Sequence, residues 1–195
     1  MSNIFDRLEK QAFRAGITPR TKESRAWFQK KAKNMRSIKR ESLMKEDQIK
    51  QRSKGVTGRM YMFFYDPKTK DTLPYYDAFP LIIVVGPAKN GFYGINLHYL
   101  PPKLRLVFFS RLMDIMDSKK LTDDAKLDIT YKMLSSSAKY KEFAPCFKHY
   151  LTKHVKGKLA EVPFPEWEIA AFLPTADFRK ATNYKVYYDS RKKIS

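Results

Sequence analysis

The chain has 195 residues and a mass of 23.0 kDa, with 43% hydrophobic and 14% aromatic residues. Its 39 lysines and arginines against 20 acids give a formal net charge of +19. That length allows one real core, since ~150 residues bury roughly 70% of their unfolded surface, and the apolar content excludes a disordered chain. The single cysteine, Cys146, excludes an intrachain disulfide and a cysteine-based zinc site.

The charge is uneven. Residues 1 to 60 hold 17 basic and 6 acidic side chains, more than half of the net charge. A basic field of this kind favours nucleic acid, an anionic surface or an acidic protein partner. The opening "MSNIFDRLEK" carries charges where a secretory apolar core would sit, and apolar runs such as Leu81 to Val85 are far too short to span a bilayer. A cytosolic protein, or a component of a particle assembled inside a cell, with no membrane partner, is expected.

In chain order, "SNIFDRLEKQAFRAG" places Ile4, Leu8 and Phe13 near one helical face, capped by Ser2 or Asn3 and closed by Gly16. After Pro19 no proline or glycine appears until Gly55, which predicts one long helix, either continuous or with a single break, capped by Thr18. Its apolar positions (Trp27, Phe28, Met35, Ile38, Leu43, Met44, Ile49) form a narrow stripe among lysines and arginines. So polar a helix buries little against its own domain. Residues 1–55 are therefore expected to be a basic helical arm.

After "KGVTGR" the period changes to that of strands: "MYMFFYD", the Asp66-Pro67 turn, "LPYYDAFPLIIVVG", the Asn90-Gly91 turn signal and a strand through Leu100. Residues 56–102 are expected to form a small antiparallel SH3-like β-barrel or curled sheet. Beyond Pro101-Pro102 the pattern reads as helical, in "KLRLVFFSRLMDIMDS", "TDDAKLDITYKMLSSSA", "PCFKHYLTKHVKGK" and "PEWEIAAFLPTADFRKAT", so that residues 103–195 form a helical portion packed on the barrel. The fold class expected is α+β.

Catalysis finds little support. Asp66, Asp71 and Asp77 fall within twelve residues, but aspartates in turns usually bond their own backbone. His149 and His154 are not at an i, i+4 metal spacing, and His98 has no ligand-spaced neighbour, so no metal site or cofactor is indicated. "GPAKNGFYG" lacks the helix start of a phosphate-cradling loop. Cys146 with His149 is a weak nucleophile–base pair beside the commoner reading of a buried cysteine. No set of carboxylates suits a nuclease, and the chain is read as non-enzymatic.

Binding chemistry is better supported. Arg20, Lys22, Arg25, Lys30, Lys31, Lys33, Arg36, Lys39 and Arg40 circle the expected arm, where several could meet phosphates or another acidic partner. Trp27 and Phe28 would either stack on bases or anchor the arm. The aromatics Tyr61, Phe63, Tyr65, Tyr75, Tyr76, Phe79, Phe92, Tyr93 and Tyr99 read as core, corner and interface residues, with stacking on nucleic acid as the alternative.

"GITPRTKESRAWF", "YYDAFPL", "GINLHYLPP", "FKHYL" and "WEIAAFLPTADFRKAT", which together span most of the chain, resemble virion-associated proteins of T-even-like contractile-tailed phages, the DNA end protector family. The resemblance implies a virion protein assembled in the host cytoplasm, seated at the ends of the packaged linear genome and shielding them from host exonuclease after injection. It further implies that the segment from Arg20 to Arg40 binds double-stranded DNA while the barrel docks in the neck among other virion proteins. The competing expectation is a structural protein of the tail, baseplate hub or neck whose basic arm wraps neighbouring subunits.

Overall fold

Tyr61 and Met62, adjacent in sequence, are both buried but on opposite faces of a sheet, and the whole fold is organised by that alternation. The computed structural model describes residues 3–36, 38–46, 49–116 and 144–194, and also residues 118, 120, 122 and 132. The expected helix beginning at Thr122 lies almost entirely outside the described residues.

Strands β1 (Lys50–Arg52), β2 (Met60–Tyr65), β4 (Leu81–Ala88), β5 (Gly91–Asn96), β6 (Phe147–Leu151) and β7 (Val155–Val162) form a six-stranded sheet in the order β1-β7-β2-β4-β5-β6. Every pairing is antiparallel. The sheet is open, with β1 and β6 at its two edges, and is not a closed barrel. A two-stranded ribbon joins β3 (Tyr76–Asp77) to β8 (Phe178–Arg179).

One face, carrying Met60, Met62, Leu81, Ile83, Ile95, Ala160 and Val162, packs against the helices in the main core. The other face carries Tyr61, Phe63, Tyr65, Ile82, Val84, Phe92, Tyr150 and Leu159, a cluster built among the described residues from strands alone. Large rings are suited to such a face because they cover one another. Phe63 sits edge-on to Tyr150 at 5.4 Å and to Phe92 at 6.0 Å between ring centres, geometry favoured by the ring quadrupoles. The density of aromatics in residues 61–99 is thus largely architectural.

Helix α1 (Ile4–Arg14) starts at Asn3, whose Oδ1 accepts from the Asp6 N–H at 2.7 Å, and ends before Gly16 at φ 71°. Helix α2 (Lys22–Lys33) starts later than expected. Arg20 takes a positive φ of 60°, so the cap is Thr21 in place of Thr18, in a reciprocal pairing with Ser24. The single long helix is replaced by α2, a short α3 (Arg40–Leu43) and strand β1, because Phe28, Leu43 and Ile49 reach the same core only if the chain folds back between them. This segment is packed on the body: Phe5, Leu8, Ala12, Phe28, Leu43 and Ile49 are all in the main core.

Helix α4 (Pro102–Met116) forms on the expected stripe, with Phe108 and Leu112 buried beside Phe109 and Met113. The stretch expected to follow as helix around residues 147–162 is instead β6 and β7, which supply an edge and an interior strand of the sheet. Phe147 to Leu151 is rich in strand-forming residues, and pairing with β5 satisfies its backbone. Helices α5 (Trp167–Ala170) and α6 (Asn183–Ile194) complete the chain. Arg105 ties them together from within: it is 4% exposed and donates to the carbonyls of Ala171 and Leu100 at 2.7 and 3.1 Å. Burial lowers its guanidinium pKa against the opposing pull of Tyr187.

Candidate nucleic-acid interface

Among the nine cations expected to meet an acidic partner, the structure makes a division. Arg20, Lys22, Lys30, Lys31, Lys33, Arg36 and Lys39 are exposed. Arg25 is 1% exposed; its Nε donates to Ser110 Oγ at 3.1 Å, its Nη1 to the Arg20 carbonyl at 3.2 Å, and Nη2 lies 3.6 Å from Asp114. Arg40 is half-buried and donates to the carbonyls of Thr175 and Ala176, both at 2.8 Å. These two guanidiniums are spent on holding α2 and α3 to the body. Arg25 falls on the inner face because it precedes the buried Phe28 by three residues, one helical turn.

Phe28 is a core residue, not an exposed stacking surface. Trp27 is half-buried, meets Phe28 edge-on at 5.2 Å, and carries the Lys31 ammonium over its ring at 5.0 Å. The N-terminus of α2 is clamped by Glu168, whose carboxylate accepts from the Arg20 N–H at 2.9 Å and from Ser24 Oγ at 2.8 Å. The exposed lysines of α2 therefore stand on an anchored frame.

The three aspartates do different work. Asp66 pairs with Lys70 at 3.0 Å, and the hydrogen bond from that lysine lowers its pKa. Asp71 contributes its backbone carbonyl to Lys180, whose ammonium also binds the carbonyls of Lys70 and Leu73 and so fixes this loop. Asp77 is buried, and its oxygens accept from the N–H groups of Phe79 and Asp177, from Asn96 Nδ2 at 3.0 Å and from His98 Nδ1 at 2.7 Å. Burial alone would raise the Asp77 carboxyl, but the neighbouring His98 and these hydrogen bonds outweigh it and leave the pKa lowered.

His98 Nε2 meets Thr175 Oγ1 at 3.1 Å, which completes a carboxylate–imidazole–hydroxyl series. The order is that of a nucleophilic triad, yet Asp77, His98 and Thr175 are 3%, 0% and 1% exposed, so no substrate reaches the hydroxyl. The series is a lock joining β3, the turn Leu97–Tyr99 that follows β5, and the segment held by Arg40. Cys146 is fully buried, which pushes its thiol up to about 12 and leaves it inert as a nucleophile. His149 and His154 hydrogen-bond to the backbone carbonyls of Lys89 and Asp66. Among the described residues, no three His, Cys, Asp or Glu side chains are grouped to hold a metal, and no helix is long and apolar enough to cross a membrane.

Above the lock lies a cleft of about 300 Å3, lined by Tyr65, Tyr75, Tyr76, Tyr99, Tyr150 and Lys148, with Lys68 and Thr69 on one wall. Lys148 Nζ sits 4.1 Å over the Tyr99 ring. The cleft floor is fixed by Tyr150, whose hydroxyl accepts from Asn96 Nδ2 at 3.0 Å, and by Tyr65, whose hydroxyl accepts from the Leu151 N–H at 3.1 Å. Burial raises the pKa of Tyr99 and drives that of Tyr150 far above the usual phenol value, so both stay neutral donors. Lys148 and Tyr150 escaped notice in the sequence because their stretch reads there as helix. Lys148 and Tyr150 fall two residues apart on one face of β6, a relation visible only once that stretch is read as a strand.

No curated protein and no solved structure matches the chain. The family model of the phage T4 terminal DNA protecting protein matches residues 3–193, nearly the whole length. That match bears out the expected end-protecting role and lends nothing to the alternative of a tail, baseplate or neck component. The chain belongs to the phage T4 terminal DNA protecting protein family and is a phage protein that protects DNA ends.

Proposed function

We propose that this protein binds the ends of the phage's packaged linear genome inside the virion, without catalysis, through the cations that α2 and its flanks expose. Arg20, Lys22, Lys30, Lys31, Lys33, Arg36 and Lys39 are the contacts to the phosphate backbone, and other virion proteins of the neck, tail or baseplate hold the complex in place after assembly in the host cytoplasm. The observation that carries this reading is the division of labour in one segment. Arg25, Arg40 and Phe28 face inward and fix its position, while the lysines between them face solvent.

Backbone contacts release counterions, so affinity falls with salt by roughly 0.9 in log–log slope per phosphate contacted. Reversing Lys30, Lys31, Lys33 and Arg36 to glutamate should reduce that slope by about 3 to 4 and weaken binding to linear duplex across all sequences. An unchanged slope in the reversed variant would remove this face from the interface.

A further inference from the structure

The cleft over the Asp77–His98 lock has a composition that duplex-backbone binding does not use. Tyr75 and Tyr76 are half-buried at its mouth, Tyr99 and Tyr150 form its depth, and Tyr75 is inclined 34° to Tyr99 at 6.2 Å between ring centres. Its volume of about 300 Å3 sits at the lower end of the roughly 300–1,000 Å3 range of small-ligand sites. Among the described residues, Asp77 is the one acid in its lining, and the oxygens of that carboxylate already accept four hydrogen bonds. Lys148 inside and Lys68 on the wall are positive.

Aromatic walls with a cation beside them are the chemistry that holds an unpaired base, since every base presents a π-face and carries a phosphate next to it. His149 lines the rim and is in ring contact with Tyr93, which stacks on Phe147 at 5.3 Å and is 38% exposed. Aromatic surface thus also reaches the other face of the edge strand β6, where Tyr93, Phe147 and His149 lie opposite Lys148 and Tyr150. A base inside a continuous duplex is paired and stacked, and taking it out costs energy that is least where the strand is already single. In an otherwise intact linear duplex, an unpaired nucleotide at a strand end offers such a base without that cost.

We propose that this cleft receives the base of the unpaired terminal nucleotide of a DNA strand, packed against Tyr75 at the mouth, with Lys148, whose ammonium caps the Tyr99 ring, directed at the adjoining phosphate. This rests on the reading of the protein as a binder of DNA ends, and it names the element that distinguishes an end from the interior of a duplex. The α2 lysines supply affinity for any duplex; the tyrosine cleft supplies the preference for a terminus.

The test uses the full chain and hairpin duplexes with one open end: blunt, or extended by one nucleotide at the 3′ or 5′ side, each extension made with a normal base and with an abasic sugar. Binding is read by fluorescence anisotropy, with closed circular duplex as competitor. At least one base-bearing extension should bind about tenfold tighter than its abasic twin. Tyr75→Ala and Lys148→Gln should each shrink that ratio towards one while leaving affinity for circular duplex unchanged. Equal affinity for base and abasic ends, in wild-type protein that still prefers linear to circular DNA, would overturn the cleft and leave end binding standing. No preference for linear DNA at all would overturn both. The base-against-abasic comparison needs no variant, so it holds even if a substitution disturbs folding.

Discussion

The carboxylate of Asp77 and the imidazole of His98 meet at 2.7 Å across 21 residues, both inaccessible to solvent, and the ring's far nitrogen reaches Thr175 at 3.1 Å. Because Arg40 grips the carbonyls of Thr175 and Ala176, this contact connects the basic segment to the floor of the tyrosine cleft through groups in direct contact. Removing one partner strands a buried polar group. His98→Ala or Asp77→Ala should therefore cost about 3–5 kcal/mol in urea unfolding. A loss under 1 kcal/mol would show that the lock is dispensable.

The lowered pKa of Asp77 also sets an acid limit. A carboxyl that ionises more easily in the folded state contributes stability above its unfolded pKa, and this contribution disappears as pH falls through the lower folded value. Thermal melts should show a falling midpoint below about pH 4, and Asp77→Asn should flatten that fall while lowering the plateau at neutral pH.

Glu166 behaves in the opposite sense. It is buried, its Oε2 has no hydrogen-bond partner among the described residues, and burial together with Glu9, Asp6 and Glu46 raises its pKa to about 7. The folded state holds this proton more tightly than the unfolded chain, so stability is greatest below the ordinary carboxylate range and declines as pH rises to about 7. Glu166→Gln should gain about 1–2 kcal/mol at pH 8, allowing for screening by nearby water, and nothing near pH 4. An equal effect at both pH values would refute the ionisation account.

At the β4–β5 hairpin, the positive φ of 60° belongs to Asn90, while Gly91 is needed for a different reason: a Cβ there would collide with the carbonyl oxygen of Tyr150 on β6. Gly91→Ala must push β5 from the edge strand that carries Lys148 and Tyr150. A loss of about 1–3 kcal/mol is expected, with weakened binding to DNA ends and unaltered binding to circular duplex, measured by calorimetry and anisotropy.

Much of this architecture is legible in the residues. Met60 to Tyr65 and Leu81 to Val85 announce strands through their β-branched and aromatic content, and Leu104, Phe108 and Leu112 announce α4. Residues 18–54 mislead because a run without glycine or interior proline looks helical, and nothing local reveals that Leu43 and Ile49 must return to the core already occupied by Phe28. Phe147 to Val162 misleads because long lysine side chains on an exposed strand imitate the polar face of a helix. The basic face was visible as composition, whereas the inward turn of Arg25 could have been taken only from its one-turn spacing to Phe28. The cleft was not legible at all, since Tyr75, Tyr99 and Lys148 come from three separate parts of the chain and meet only through the sheet.

The most direct measurement of the central claim is competition between blunt linear duplex and closed circular duplex of the same sequence for the purified protein, repeated across a salt series. End protection predicts that linear DNA is preferred, that the preference grows in proportion to the number of ends per mass of DNA, and that it persists near physiological salt while interior binding fades. Equal competition by circular DNA at every salt concentration would contradict the account and leave the α2 lysines as a surface for nucleic acid without regard to ends.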